Sequence, residues 1–163
     1  MKKFLTESCD RIATVLIVLL FCQFPLYIQQ YQMHLAGHKE ECKLFVEWLQ
    51  KDAKRSEKSL PVYIAKFLNQ TDEDFVSTGK LMQKTCERYE KLTFAYNSLE
   101  QSSLLKRPFV FLQHADWEIV KETFRGFIPG FSFSIESFLY AMVAFFLWSL
   151  IWCVICKKKT PEK

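Results

Sequence analysis

The chain has 163 residues, of which half are apolar and a quarter are charged, and its formal net charge is +4. This length allows one modest domain. Between residues 29 and 130 there are fifteen basic and fourteen acidic side chains, so this part has no basic footprint for nucleic acid.

Charge is segregated along the chain. No charged residue lies between Arg11 and Lys39, and only Glu136 lies between Arg125 and Lys157. A soluble domain does not separate charge in this way, and each uncharged stretch is long enough for a membrane helix. The sequence therefore predicts a two-pass membrane protein with the lipid bilayer as one partner.

The first predicted span is residues 12–28, which follow a short tail of residues 1–11. A basic start followed by an apolar segment is also typical of a cleaved signal peptide. However, the residues after the apolar core, Phe21 to Pro25, are not the small ones that cleavage requires, and the apolar segment continues to Ile28. We therefore expect an uncleaved anchor of about 26 Å.

Beyond this span the helical period continues without a change of phase. Mostly apolar residues recur at a four–three spacing, which predicts one long helix that ends near Lys58, with a seam on one face as in a coiled coil. The seam consists of Phe24, Ile28, Tyr31, Leu35, His38, Cys42, Phe45 and Leu49.

Two more helices are expected before the chain returns to the membrane. Ser59 and Pro61 suit the first turn of a short helix that reaches Leu68. Thr71 suits the N-cap of a long helix that runs to about Leu105. Because the long helix is about as long as the outgoing one beyond the first span, the two are expected to form an antiparallel hairpin.

The segment after the hairpin is basic and aromatic. Lys106, Arg107 and the apolar residues 109–112 are typical of the lipid headgroup layer. A short helix over Asp116–Arg125 then completes an exported helical domain of residues 29–130.

The second predicted span is residues 131–156, in which the helix from Ile135 to Cys156 is about 33 Å long. Its small residues Ser137, Ala141 and Ala144 form a stripe that suits helix packing. A basic tail of residues 157–163 follows, and basic residues also precede the first span, so both termini are expected in the cytoplasm. The predicted fold is all-α, with two transmembrane helices flanking an exported antiparallel hairpin or bundle.

Two stretches carry a family resemblance. The first runs from Gln23 to Glu41 as QxPxYxxQYxxxLxGHxxE, and the second includes His114-Ala115-Asp116 and the FIPG of residues 127–130. Over nearly the whole chain they resemble a bacterial membrane-protein family described as a domain of unknown function, DUF2937. The resemblance implies a bacterial inner-membrane protein and implies no activity, cofactor or catalytic residue.

The candidate metal ligands are His34, His38 and Glu41, which lie within about two helical turns. Histidine and carboxylate on one helix can bind zinc, but the HExxH pattern is missing. His38 also belongs to the seam, where a packed histidine is the ordinary case. We therefore expect neither a metal nor a catalytic site.

The candidate disulfide joins Cys42 and Cys86, the two cysteines of the exported part, where disulfides persist. Each lies on the apolar side of its predicted helix, so antiparallel packing would direct them toward one another. The alternative is that both fill the seam as small apolar residues.

We favour a non-enzymatic inner-membrane protein that presents a periplasmic helical stalk for self-association or for a protein partner. A sensor, or an accessory subunit of an envelope or transport complex, would signal through a partner, because only seven residues follow the last span. A pore has little membrane-embedded charge beyond Glu136 to support it, and a metal-binding enzyme has the least support.

Overall fold

The computed structural model describes residues 2–130 and 135–157, so residues 158–163 of the predicted basic tail lie outside the described residues. The described chain forms helices and turns without any strand, which confirms the all-α prediction. The helices are α1 (Lys2–Arg55), α2 (Leu60–Leu68), α3 (Glu73–Glu100), α4 (Arg107–His114), α5 (Trp117–Arg125) and α6 (Ile135–Lys157).

The chain separates into two compact units. Unit 1 comprises the described residues up to Gln30 together with those from Thr123 onward, and unit 2 is Tyr31–Glu122. Helices α1 and α5 each contribute residues to both units.

Helix α1 continues through Pro25 as one element, as the uninterrupted period predicts. The predicted seam is its packed face, since every seam residue is buried or half-buried. Four of them are at most 1% exposed: Ile28, Tyr31, Leu35 and Leu49.

Helix α1 ends at Arg55, slightly before the predicted end near Lys58. The Lys58 N–H donates to the Ala53 carbonyl at 2.9 Å, and the Glu57 N–H donates to the Lys54 carbonyl at 3.0 Å. These two bonds form a Schellman cap, whose left-handed position is usually a glycine. Here Glu57 occupies it with φ 56°.

Helices α1, α2 and α3 meet in a core of Leu49, Ile64 and Met82, which we name the three-helix cluster. Helix α2 begins at its predicted position, with Ser59 as N-cap and a proline in its first turn. The approach of α2 to α3 is close at Gly79, where an added Cβ would lie 3.0 Å from the Leu68 backbone nitrogen.

Contacts between α1 and α3 occur at two levels within unit 2. The Lys39 ammonium lies 4.0 Å from the centre of the Tyr96 ring. Leu49 and Met82 share the three-helix cluster. From the first level to the second, the residue number rises on α1, from 39 to 49, and falls on α3, from 96 to 82.

Helix α3 is shorter than predicted at both ends. Its N-cap is Asp72 rather than Thr71, because the Asp72 carboxylate accepts from the Asp74 N–H at 3.0 Å. It ends at Glu100 rather than near Leu105. There the Ser102 hydroxyl donates to the Leu99 carbonyl at 2.7 Å and competes with continued helical bonding.

Helix α4 was not predicted as a helix. The N–H groups of Lys106 and Arg107 both donate to the Ser103 carbonyl at 2.9 Å, which starts the turn, and a proline follows in the first turn.

Helix α5 matches its prediction. The Asp116 carboxylate accepts from the Glu118 N–H at 2.9 Å and thereby caps it.

By length and composition, one helix among the residues searched could cross a membrane, namely the part of α1 from Arg11 onward. Helix α6 has 23 residues, and within it Ser137–Ile151 is a shorter apolar segment. The structure thus supports one of the two predicted spans. The side chain of Glu136 and the residues at 131–134 lie outside the description.

Candidate functional site

The side chain of Gln23 is bonded to both backbone groups of one distant residue. Its Nε2 donates to the Gly130 carbonyl at 3.2 Å, and its Oε1 accepts from the Gly130 N–H at 3.1 Å. A side-chain amide carries both a donor and an acceptor, so one side chain can bond the N–H and the carbonyl of a residue that lies outside the helices. We name this pair of bonds the Gln23 clamp.

Further contacts in unit 1 join the same two stretches. The Tyr27 and Phe127 rings meet edge to face with centroids 5.4 Å apart. Gln30 Nε2 donates to the Ile128 carbonyl at 3.2 Å. The stretches QFPLYIQQ and FIPG, which carry the family resemblance, therefore contact one another through side chains of the first and through the backbone and the Phe127 ring of the second.

Tyr31 organises the start of α5 within unit 2. Its side chain is fully buried, and its hydroxyl accepts from the Asp116 N–H at 2.9 Å. Its ring lies edge-on to that of Phe111, with centroids 5.0 Å apart. One tyrosine thus holds both the end of α4 and the N-cap of α5.

His38 forms an ion-pair contact with a carboxylate that the sequence did not associate with it. Its Nε2 lies 2.9 Å from Glu122 Oε2 on α5. This hydrogen bond is the main cause that lowers the pKa of Glu122, and the charges of His38 and His34 act in the same direction. Partial desolvation opposes them.

The three candidate metal ligands line one open hollow of about 370 Å³, together with Met33 and Gly37. His34, His38 and Glu41 therefore do share a surface, as their spacing predicts. Within residues 11–130, whose side chains are described, and the described part of α6, no three His, Cys, Asp or Glu side chains gather closely enough to hold a metal ion. The ring of His38 is directed to Glu122 instead.

The predicted disulfide is not formed in the structure, where Cys42 and Cys86 are both unbridged and half-buried. Desolvation raises the pKa of both thiols, although the charge of Arg88 opposes it at Cys42. Cys86 packs on the three-helix cluster together with Phe45. A raised pKa leaves less thiolate for oxidation, so this arrangement matches the alternative of apolar filling.

The small-residue stripe of α6 faces inward in unit 1. Ser137 and Ala144 are buried, and Ala141 is half-buried. The Cys22 thiol on α1 lies 3.6 Å from the Ser137 carbonyl oxygen. The stripe therefore packs α6 within its own chain.

Sequence reasoning found most of these residues but not their partners. Tyr31 and His38 stood out by their spacing on the seam, and Gln23 stood out through the family pattern. Asp116 and Gly130 also belong to that pattern, whereas Glu122 was not singled out. Hydrogen bonds across 84 to 107 positions leave no local pattern. The one available signal was that both stretches belong to the same family pattern.

Residues 5–158 match the family described as "Protein of unknown function (DUF2937)". The match covers nearly the whole chain, so the chain belongs to this family. No curated protein and no solved structure matches it.

Proposed function

We propose that this member of the DUF2937 family is a non-enzymatic, two-pass protein of the bacterial inner membrane whose exported helices associate with a second copy of the chain. The observation that carries the proposal is an exposed apolar stripe on the part of α1 in unit 2. We name it the α1 stripe, and it consists of Met33, Gly37, Leu44 and Trp48.

The α1 stripe lies opposite the packed face of the same helix. Met33 is 70% exposed, Leu44 67% and Trp48 51%, and the space beside Gly37 is open. At about 100° per residue the four positions fall within roughly 60° of one another, about half a turn away from the buried seam. Such a face gains free energy when another helix covers it.

A second copy is the occupant that fits this face best. Two copies anchored in one membrane have the same orientation, so a two-fold axis normal to the bilayer brings the α1 stripe against itself. Gly37 lets the two backbones approach closely. The neighbouring charges of Glu40 and Lys43 are paired at 3.1 Å, so they add little repulsion between copies.

The membrane location is supported by the apolar surface of α1. Four of its side chains within residues 12–28 are more than half exposed, which lipid would cover. They are Ile12, Val15, Leu16 and Leu20. A helix with the 23 residues of α6 could reach across about 33 Å, and the basic residues at both ends of the sequence favour cytoplasmic termini.

The proposed antiparallel hairpin is supported by the two levels of contact between α1 and α3. Lys39 lies over the Tyr96 ring, whereas Leu49 and Met82 share the three-helix cluster, and this order of contacts is the one expected of an antiparallel pair. A hairpin of this kind would present the α1 stripe along its outer side.

Self-association is tested by the mass of the protein purified in a mild detergent. We expect a dimer for the wild type and a monomer for Leu44→Glu, because a buried charge in the contact is costly. Leu81→Glu is the matched control, since Leu81 is 59% exposed on α3 and outside the α1 stripe. A monomeric wild type, in detergent and after cross-linking in membranes, would refute the proposal. A stoichiometric second protein would replace the second copy as occupant.

Topology is tested separately by reporter fusions. A fusion at residue 70 should report the exported side, and a fusion at the C-terminus should report the cytoplasm. A mature protein that begins near Cys22 or Gln23 would contradict the uncleaved anchor.

A further inference from the structure

Helix α4 and the turn before it carry an apolar face that no described residue of the chain covers. Leu105 and Phe109 are each 72% exposed, and Leu112 is 62% exposed. Their spacing of four and three residues puts them on one side, which we name the α4 stripe. Phe111, on the opposite side, is buried. Helix α4 is therefore amphipathic with its apolar face outward.

The buried side of α4 is fixed to α1 at a defined level. Phe111 packs edge-on against Tyr31, and the Tyr31 hydroxyl accepts the Asp116 N–H just beyond α4. Tyr31 lies three residues, or about 4.5 Å along the helix, beyond Ile28, where the apolar segment of α1 ends. Helix α4 is thus attached to α1 at a residue that follows the apolar segment of α1 closely in the sequence.

The charge around the α4 stripe suits an anionic surface. From Gln101 to Ala115 the chain contains Lys106 and Arg107 but no carboxylate. Lys106 is exposed beside the stripe, and Trp117, a residue type enriched at membrane surfaces, is also exposed after α4. Leucine and aromatic side chains flanked by a cation are typical of helices that lie in the headgroup layer.

The α4 stripe is short, with three exposed apolar side chains on and just before an eight-residue helix. A bilayer surface suits such a face, since a short apolar face inserts beside a helix that is already anchored.

We propose that α4 is an interfacial helix that inserts the α4 stripe into the headgroup layer of an anionic phospholipid bilayer and thereby fixes unit 2 against the membrane surface. The inference rests on the proposed membrane location of the chain. It names a lipid partner and a site, whereas the proposed function names a second copy and the α1 stripe.

The test uses the full chain in proteoliposomes that contain a photoactivatable phospholipid, with adducts located by peptide mass spectrometry. We expect adducts on the α4 peptide as well as on the two spans. Replacing neutral phosphatidylcholine by a mixture with phosphatidylglycerol should raise the α4 yield about fivefold, which corresponds to about 1 kcal/mol for one cation. Lys106→Glu should remove that increase.

Variants separate insertion from misfolding. Phe109→Glu should lower the α4 adducts about tenfold without changing the helix content, because Phe109 is largely exposed. Leu81→Glu, an equivalent change on α3, should leave them unchanged. Labelled spans with an unlabelled α4, or cross-links from α4 to a second copy, would overturn this inference and leave the membrane location intact. Unlabelled spans would instead refute the membrane location itself.

Discussion

The three-helix cluster and the Gln23 clamp hold the chain together by different means. In the cluster, Leu49, Ile64 and Met82 lose their contact with water as three helices meet. In the clamp, one side-chain amide forms two hydrogen bonds, at 3.1 and 3.2 Å, with the N–H and the carbonyl of Gly130. Apolar burial is non-directional, whereas the clamp needs a donor and an acceptor in fixed positions.

This difference determines how each region tolerates substitution. An apolar cluster accepts other apolar residues of similar volume. No other side chain places a donor and an acceptor where those of Gln23 lie, because glutamate lacks the donor and asparagine is one methylene shorter. The clamp is accordingly part of the stretch that carries the family pattern, while the cluster is built from common helical residues.

The largest effect is expected in the three-helix cluster. Leu49→Ala removes a fully buried side chain and should lower the free energy of unfolding by about 3 kcal/mol through lost burial and a residual cavity. Denaturant unfolding in mixed micelles measures it. The control Leu44→Ala, at an exposed position of the same helix, should change stability by less than about 0.5 kcal/mol. Equal losses would mean that the cluster is not a core.

The two glycines in the described helices should respond in opposite directions. Gly79→Ala places a Cβ 3.0 Å from the backbone of Leu68 and should destabilise by about 2 kcal/mol. Gly37→Ala meets nothing within 4 Å, so better helix propensity should stabilise the monomer by about 1 kcal/mol. A gain in stability for Gly79→Ala, measured under monomeric conditions, would contradict the close approach of α2 to α3.

The clamp should contribute less to the free energy of unfolding than the cluster, but it should tolerate fewer kinds of substitution. Gln23→Leu keeps the size and leaves the N–H and the carbonyl of Gly130 without this side-chain partner, at a cost of about 1–2 kcal/mol. Gln23→Glu should cost at least as much, because it removes the donor. The exposed Gln29→Leu is the control and should be neutral within about 0.5 kcal/mol. Neutral Gln23 variants would show that the clamp contributes nothing.

Local signals in the sequence predicted the helices well and their contacts poorly. The period of α1 and the capping residues of α2 and α5 act within a few positions, so they can be recognised along the chain. The competing caps at Asp72 and Thr71 differ by one residue, and side-chain geometry decides between them. Helix α4 was missed because its apolar residues face outward, where a core pattern is not expected.

A smaller gain in stability is expected where α1 ends. Glu57 has a left-handed backbone that costs a non-glycine residue about 1 kcal/mol. Glu57→Gly should therefore raise the free energy of unfolding by about that amount while it preserves the Schellman cap, and Glu57→Ala should give no such gain. Both are compared by denaturant midpoint. A loss of stability in Glu57→Gly would mean that the side chain of Glu57 has a stabilising role of its own.

The smallest effect concerns pH and separates polar contacts from the apolar cluster. The pKa of Glu122 is lowered chiefly by its hydrogen bond with His38. A lowered carboxyl pKa adds stability that is complete above the ordinary value of about 4.3 and is lost as the pH falls through the folded value. The stability difference between wild type and Glu122→Gln should therefore shrink from pH 5 to pH 3. That of Leu49→Ala should stay constant over the same range, since Leu49, Ile64 and Met82 carry no titratable group. A Glu122→Gln difference that is flat across this range would show that the contact with His38 does not stabilise the fold.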